Sequence, residues 1–169
     1  MTLARRTLLA APVVLPLAAC VAPAQPDPAV IRETPPPWPA PRDAVSYITA
    51  AGLPHLPLDA TANQRILTLA VTYAGQPVEV PAYLGIDRLR AVQAACHTHD
   101  TTGQVWLEGE GNDQVTLGQL FTCWGVRFSG QVLGDRTGTV TVTADGQPVA
   151  DVTGFVLARV QKTLAVAVP

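Results

Sequence analysis

His97 and His99 stand two residues apart in the run Cys96-His97-Thr98-His99-Asp100-Thr101-Thr102-Gly103. In an extended strand, side chains at i and i+2 point to the same face, so two imidazoles can converge on one cation. Neutral imidazole suits copper and zinc, and a carboxylate from Asp100 or Glu108 would complete the shell. Copper(II) should bind more strongly than zinc, by the usual order of divalent affinity. The same spacing also describes two polar residues beside a turn, with Asp100 bonded to the turn backbone; both readings stand. His55 is the one other histidine. A binuclear metallo-β-lactamase centre would need Asp and His at positions 101 and 102, which are both threonine.

The second group of reactive side chains is the cysteines, Cys20, Cys96 and Cys123. In an oxidising compartment Cys96 and Cys123 read as a disulfide, with two buried thiols and metal ligation through Cys123 as alternatives. Other catalytic signatures are absent. There is no Gly-x-Ser-x-Gly, no phosphate-binding glycine loop, and Ser46 and Ser129 are the only serines. Glu108, Glu110 and Asp113 sit in a glycine-containing loop, where solvation would account for them.

The segment that must position the histidines reads as a hairpin, with Asp100 and Gly103 at the first and last positions of its turn. Alternation puts His97, His99, Gln104, Trp106 and Glu108 on an outer face and Ala94, Cys96, Val105 and Leu107 on the core face. Around it, residues 66–73 alternate as a strand and turn at Ala74-Gly75 into 78–80. Residues 139–143 run into a similar turn at 144–149, and the two stretches share Val-Thr-x-x-Gly-Gln-Pro-Val. Residues 164–168 form a last strand. Thr116 and Gln119 form a capping box ahead of Leu117, Leu120, Phe121 and Trp124, with Gly125 placed to end the helix. A further short turn of helix is expected over 43–51, stopped by Gly52 and Pro54. The fold class is α+β, mainly antiparallel hairpins with one short helix packed on the sheet.

Chain organisation gives this domain an address. Arg5 and Arg6, the apolar stretch 7–17 and Leu17-Ala18-Ala19-Cys20 resemble the export signal and lipobox of bacterial lipoproteins, in which the cysteine accepts a diacylglycerol. Signal peptide 1–19, lipidated Cys20 with a proline-rich linker over 20–43, and a single domain over 44–169 follow. Eight of the sixteen prolines fall in 21–43, which predicts an extended, semi-rigid spacer. Trp38, among those prolines, could pack back on the domain. The chain carries 11 basic and 13 acidic residues, a net charge of −2, which excludes a nucleic-acid-binding face. No apolar run reaches the ~20 residues of a permanent membrane span. The expected location is the cell envelope, membrane-anchored by lipid; nothing in the sequence names a protein partner.

His97-Thr98-His99-Asp100-Thr101-Thr102-Gly103, followed by Thr116-Leu117-Gly118-Gln119-Leu120-Phe121 and Trp124-Gly125, resembles a family of uncharacterised exported bacterial proteins. The resemblance covers roughly residues 65–168. It implies two Gly-x-Pro-Val hairpins flanking the His-Thr-His-Asp turn and the helix, and no established activity. Members often carry a further histidine where this chain has Trp106, a position opposite His97. The function expected is an envelope binding or accessory module whose histidine-bearing hairpin face recognises a metal ion or a partner. A small metal-dependent enzyme and a purely structural lipoprotein are the alternatives.

Overall fold

Strict alternation makes residues 65–73 the spine of the molecule. A computed structural model describes residues 24–169, so the export signal and Cys20 lie outside the described residues. The strand Arg65–Tyr73 buries Leu67, Leu69 and Val71 and leaves Thr68 and Ala70 exposed, so one sheet face is core and the other wet. Gln104–Leu107 pairs antiparallel with its first half and Gln76–Val78 with its last three residues. On its other side lies Thr163–Val168, and beyond that Thr141–Ala144 and Gln147–Pro148. Cys96–His97 completes the seven-stranded sheet next to Gln104–Leu107. Two small antiparallel ladders flank it: Leu56–Pro57, Val92–Gln93 and Ile86–Asp87 form one, and Phe128–Ser129, Val132–Leu133 and Arg136–Thr137 the other.

The sheet is thus mostly antiparallel with some helix, as expected, but the central pair of Arg65–Tyr73 and Thr163–Val168 is parallel. Alternation specifies a strand's faces and not its partner's direction, so this pair had no local signal.

The shared octet is one turn chemistry used twice. Ala74 and Gly75 have φ of 51° and 75°, and Asp145 and Gly146 have 50° and 80°. Positive φ at both central residues is the two-residue turn that matches strand twist. Asp145 adds a lock: its carboxylate accepts N–H bonds from Gln161, Lys162 and Thr163 at 2.7, 2.8 and 2.9 Å. The start of Thr163–Val168 is thereby held beside the turn.

The helix Leu117–Trp124 forms as its cap predicts. Thr116 Oγ1 accepts from the Gln119 N–H, Gln119 Oε1 accepts from the Thr116 N–H, and Gly125 ends the helix in the left-handed region at φ 69°. Leu117, Leu120, Phe121 and Trp124 are fully buried in one core with the sheet's inner face. A second helix, Ala44–Ala50, packs against it, and Gln119 Nε2 donates to the Ala51 carbonyl across the join. Among the described residues there are therefore two short α-helices, the second at the turn of helix expected over 43–51. Among the described residues, no helix is long and apolar enough to cross a membrane.

The proline-rich segment is not a free spacer throughout. Trp38 is 1% exposed, lies edge-on to Tyr73 and Trp124, and its carbonyl accepts the Trp124 indole N–H at 2.7 Å. Arg32 bridges to Val126, exchanging backbone bonds with Gly125 and Arg127. Burying a tryptophan outweighs the extended preference of the prolines around it. The folded unit consequently takes in most of the predicted linker.

Candidate metal centre

Backbone pairing puts Cys96 opposite Leu107 and His97 opposite Trp106, the register expected of the hairpin. The core face is as predicted: Ala94, Cys96, Val105 and Leu107 are at most 1% exposed. The other face departs from expectation. His99 and Gln104 are exposed, but His97 is fully buried and Glu108 nearly so. Residues 84–86 cover this end of the hairpin. The Thr98 N–H donates to the Leu84 carbonyl, Thr98 Oγ1 accepts from the Leu84 N–H, and a Cβ on Gly85 would stand 3.3 Å from His97 Cβ. Only a residue without a side chain lets that backbone come so close, and Gly85 also has φ of 72°.

Three donors meet there. Atoms of His97, His99 and Glu108 lie within 4.8 Å of one another, two of these residues buried and His99 open to solvent. His97 Nε2 is 3.2 Å from Glu108 Oε1. The ring of His99 stands edge-on between those of His97 and Trp106, with centroids 4.9 and 5.0 Å away. Behind them, Gln64 Nε2 donates to Glu108 Oε2 at 2.8 Å and so orients the carboxylate.

The proton inventory of His97 defines what its inner nitrogen can do. Its Nδ1 is 3.0 Å from the Ala94 carbonyl, which can only accept, so Nδ1 carries the hydrogen. In the neutral ring Nε2 is then a bare lone pair. That atom is buried without a hydrogen-bond partner, since the 3.2 Å approach of Glu108 lacks hydrogen-bond alignment. Burial pushes the His97 pKa down, against the opposing pull of the Ala94 carbonyl and the Glu108 carboxylate. Neutral imidazole is the favoured form, and its Nε2 lone pair faces Glu108 Oε1. A cation in that gap would satisfy both.

The geometry fits a small divalent ion. Bonds of about 2.0–2.2 Å in a tetrahedral site set ligand atoms about 3.3 Å apart. The His97–Glu108 separation already has that value, and His99, being exposed, is free to close the remaining distance. Asp100 does not join the group: its Oδ1 accepts from the N–H and hydroxyl of Thr102 in the turn. His55 is elsewhere, bonded to Thr49 Oγ1. Glu108 is a buried group held by Gln64 rather than a solvated loop carboxylate, whereas Glu110 and Asp113 are exposed and border an open cleft with Arg65. Nothing local to Gln64 marks its role, because it lies 44 residues from Glu108.

Cys96 and Cys123 are both fully buried and are free thiols. The neighbouring Cys123 thiol, together with burial, pushes the Cys96 thiol well above its ordinary range. The two residues predicted to bridge lie in one core as free thiols rather than as a disulfide, and Cys123 is not part of the group of His97, His99 and Glu108. Comparison of the chain with protein-family models, with curated proteins and with solved structures finds no match to any of them.

Proposed function

We propose that this chain is an exported lipoprotein, anchored through Cys20, whose folded domain is a binding module for one divalent metal ion held by His97, His99 and Glu108. The observation that carries the metal reading is the buried, unpartnered Nε2 of His97, aimed at a carboxylate 3.2 Å away. The Leu17-Ala18-Ala19-Cys20 junction supports the anchoring, and the resemblance to exported bacterial proteins is in keeping with it. Copper and zinc are the ions the donor set favours, copper(II) the more tightly. A second reading, a small metal-dependent envelope enzyme, draws on one feature. Two histidines and a glutamate with an open fourth position form a donor set used by catalytic zinc.

Isothermal calorimetry of the purified protein tests the proposal. One copper(II) should bind per chain, and the His97→Ala/His99→Ala double variant should lose that site. Quenching of Trp106, whose ring is 5.0 Å from that of His99, should accompany binding and disappear in Trp106→Phe. Binding should weaken as acid protonates His97, and because burial holds its pKa down the loss should come below the ordinary imidazole range, since an imidazolium cannot ligate. Equal copper uptake by the wild type and the double variant would overturn the reading.

A further inference from the structure

Six large apolar residues are exposed among the described residues, and the two most exposed, Leu89 at 79% and Val30 at 67%, lie on adjoining surfaces. Leu89 and Tyr83 line a shallow cleft with Ile86, Arg42 and Arg88. Val30 lines a second with Arg32, and the two clefts share residues 40–43. Single exposed apolar residues need no explanation, but an apolar group set among arginines calls for one.

The charges of this face have a definite order. Arg90 is spent, paired with Asp43 at 2.8 Å and Asp87 at 3.1 Å. Arg32 reaches back to the Trp124 carbonyl. Arg88 stacks over the Tyr83 ring at 4.3 Å, and among the described residues neither Arg88 nor Arg42 has a carboxylate partner. Arg32, Arg42, Arg88 and Arg90 stand against Asp27, Asp43 and Asp87 on this face, an excess of one positive charge. On a chain of net charge −2, this face is basic.

The chain's path adds the decisive constraint. Arg90 Nη2 donates to the carbonyl of Ala24 at 2.9 Å, which fixes Ala24 beside the turn bearing Leu89. Four residues separate Ala24 from Cys20, and four fully extended residues span at most about 14 Å. A lipid on Cys20 therefore holds this face within about a Debye length or two of the headgroups.

We propose that the face carrying Leu89, Tyr83, Val30, Arg42 and Arg88 lies on an anionic phospholipid surface, with Leu89 entering the headgroup layer. The inference rests on the anchoring of Cys20 proposed above. Leu89 and Tyr83 supply apolar contact at the interface, and Arg42 and Arg88 each contribute roughly fivefold through attraction to anionic lipid. The domain is thus docked in one orientation rather than swinging from its anchor.

The test uses the full lipidated chain carrying Leu89→Cys labelled with an environment-sensitive NBD fluorophore; Cys96 and Cys123 are buried and leave position 89 as the accessible thiol. The labelled protein is reconstituted into vesicles of phosphatidylcholine, alone or mixed with phosphatidylglycerol. NBD emission should shift to the blue and rise several-fold on the mixed vesicles. The shift should vanish in Arg42→Glu/Arg88→Glu while that variant still floats with the vesicles. A chain that floats with unchanged NBD emission would overturn the docked face and leave the anchor standing. A chain that does not float would overturn the anchor and the face together. Equal shifts on both vesicle types would overturn the assignment to anionic lipid. A concentration-dependent shift without vesicles would assign the face to a second copy of the chain.

Discussion

Gly85→Ala measures how much the burial of His97 depends on close backbone approach. Two costs add. An L-residue held at φ of 72° loses about 1 kcal/mol relative to glycine. The new methyl would sit 2.5 Å from the Cys96 carbonyl oxygen and 3.3 Å from His97 Cβ. The first neighbour is backbone and cannot rotate away, so the hairpin must move, at about 1–3 kcal/mol. The sum is about 2–4 kcal/mol, a large share of a typical domain's stability. Gly146→Ala is the matched control. Its φ is 80°, but a Cβ there meets nothing within 4 Å, leaving only the conformational cost of about 1 kcal/mol. Urea unfolding should show Gly85→Ala with a midpoint about 1–2 M below the parent at unchanged slope, and Gly146→Ala with a smaller loss. Copper affinity should fall in the first variant alone. Equal losses in the two variants would refute the account, because residues 84–86 would then not press on His97.

Two further outcomes follow from single contacts. The Asp145 carboxyl is held below its ordinary pKa by N–H bonds from Gln161, Thr163 and Lys162, so its contribution is present above about pH 4 and lost as pH falls through the folded-state value. Thermal unfolding should therefore find Asp145→Asn less stable than the parent at neutral pH, with the gap closing in acid. Mild oxidation should join Cys96 to Cys123, neighbours in the core, closing a loop of 28 residues and stabilising the protein on the order of 3 kcal/mol. Mass spectrometry after alkylation without reductant checks this, and two alkylated cysteines would count against it.

What could be read from local pattern is local in cause. The Thr116–Gln119 box, the Gly125 stop and the two positive-φ turns each depend on residues within a few positions of one another. The facing of His97 with Trp106 follows from a short turn and strict alternation. The features that escaped are set by distant segments. Residues 84–86 bury His97, Gln64 orients Glu108, and the core captures Trp38 from a proline-rich stretch that by itself prefers extension. A tryptophan among prolines was the visible sign of the last, since a solvated spacer has no use for one. Gly85, set between Leu84 and Ile86 in an apolar run, was the visible sign of the first.

The buried pair of His97 and Glu108 can be weighed as an ordinary structural contact or as half of a metal site. As a structural contact it is poorly made. Nε2 has no hydrogen, the carboxylate has none to offer when ionised, and leaving a buried acceptor unsatisfied costs about 1–3 kcal/mol. Protonating His97 would mend the contact, but burial opposes the charged ring. Apolar residues of similar volume would fill the space without either cost. A bound metal would reverse the balance: an ion present at about a hundredfold excess over its Kd stabilises the folded state by about 2.7 kcal/mol, comparable with the whole penalty of the unsatisfied pair. Two details of the surroundings favour the same side. Gln64 and the Ala94 carbonyl hold the outer atoms of both side chains, which fixes the inner atoms toward the gap. His99, the third donor, is exposed, so an ion could reach it from solvent. A site assembled for packing alone would have no reason to keep its two polar tips converging on a space that a cation fits.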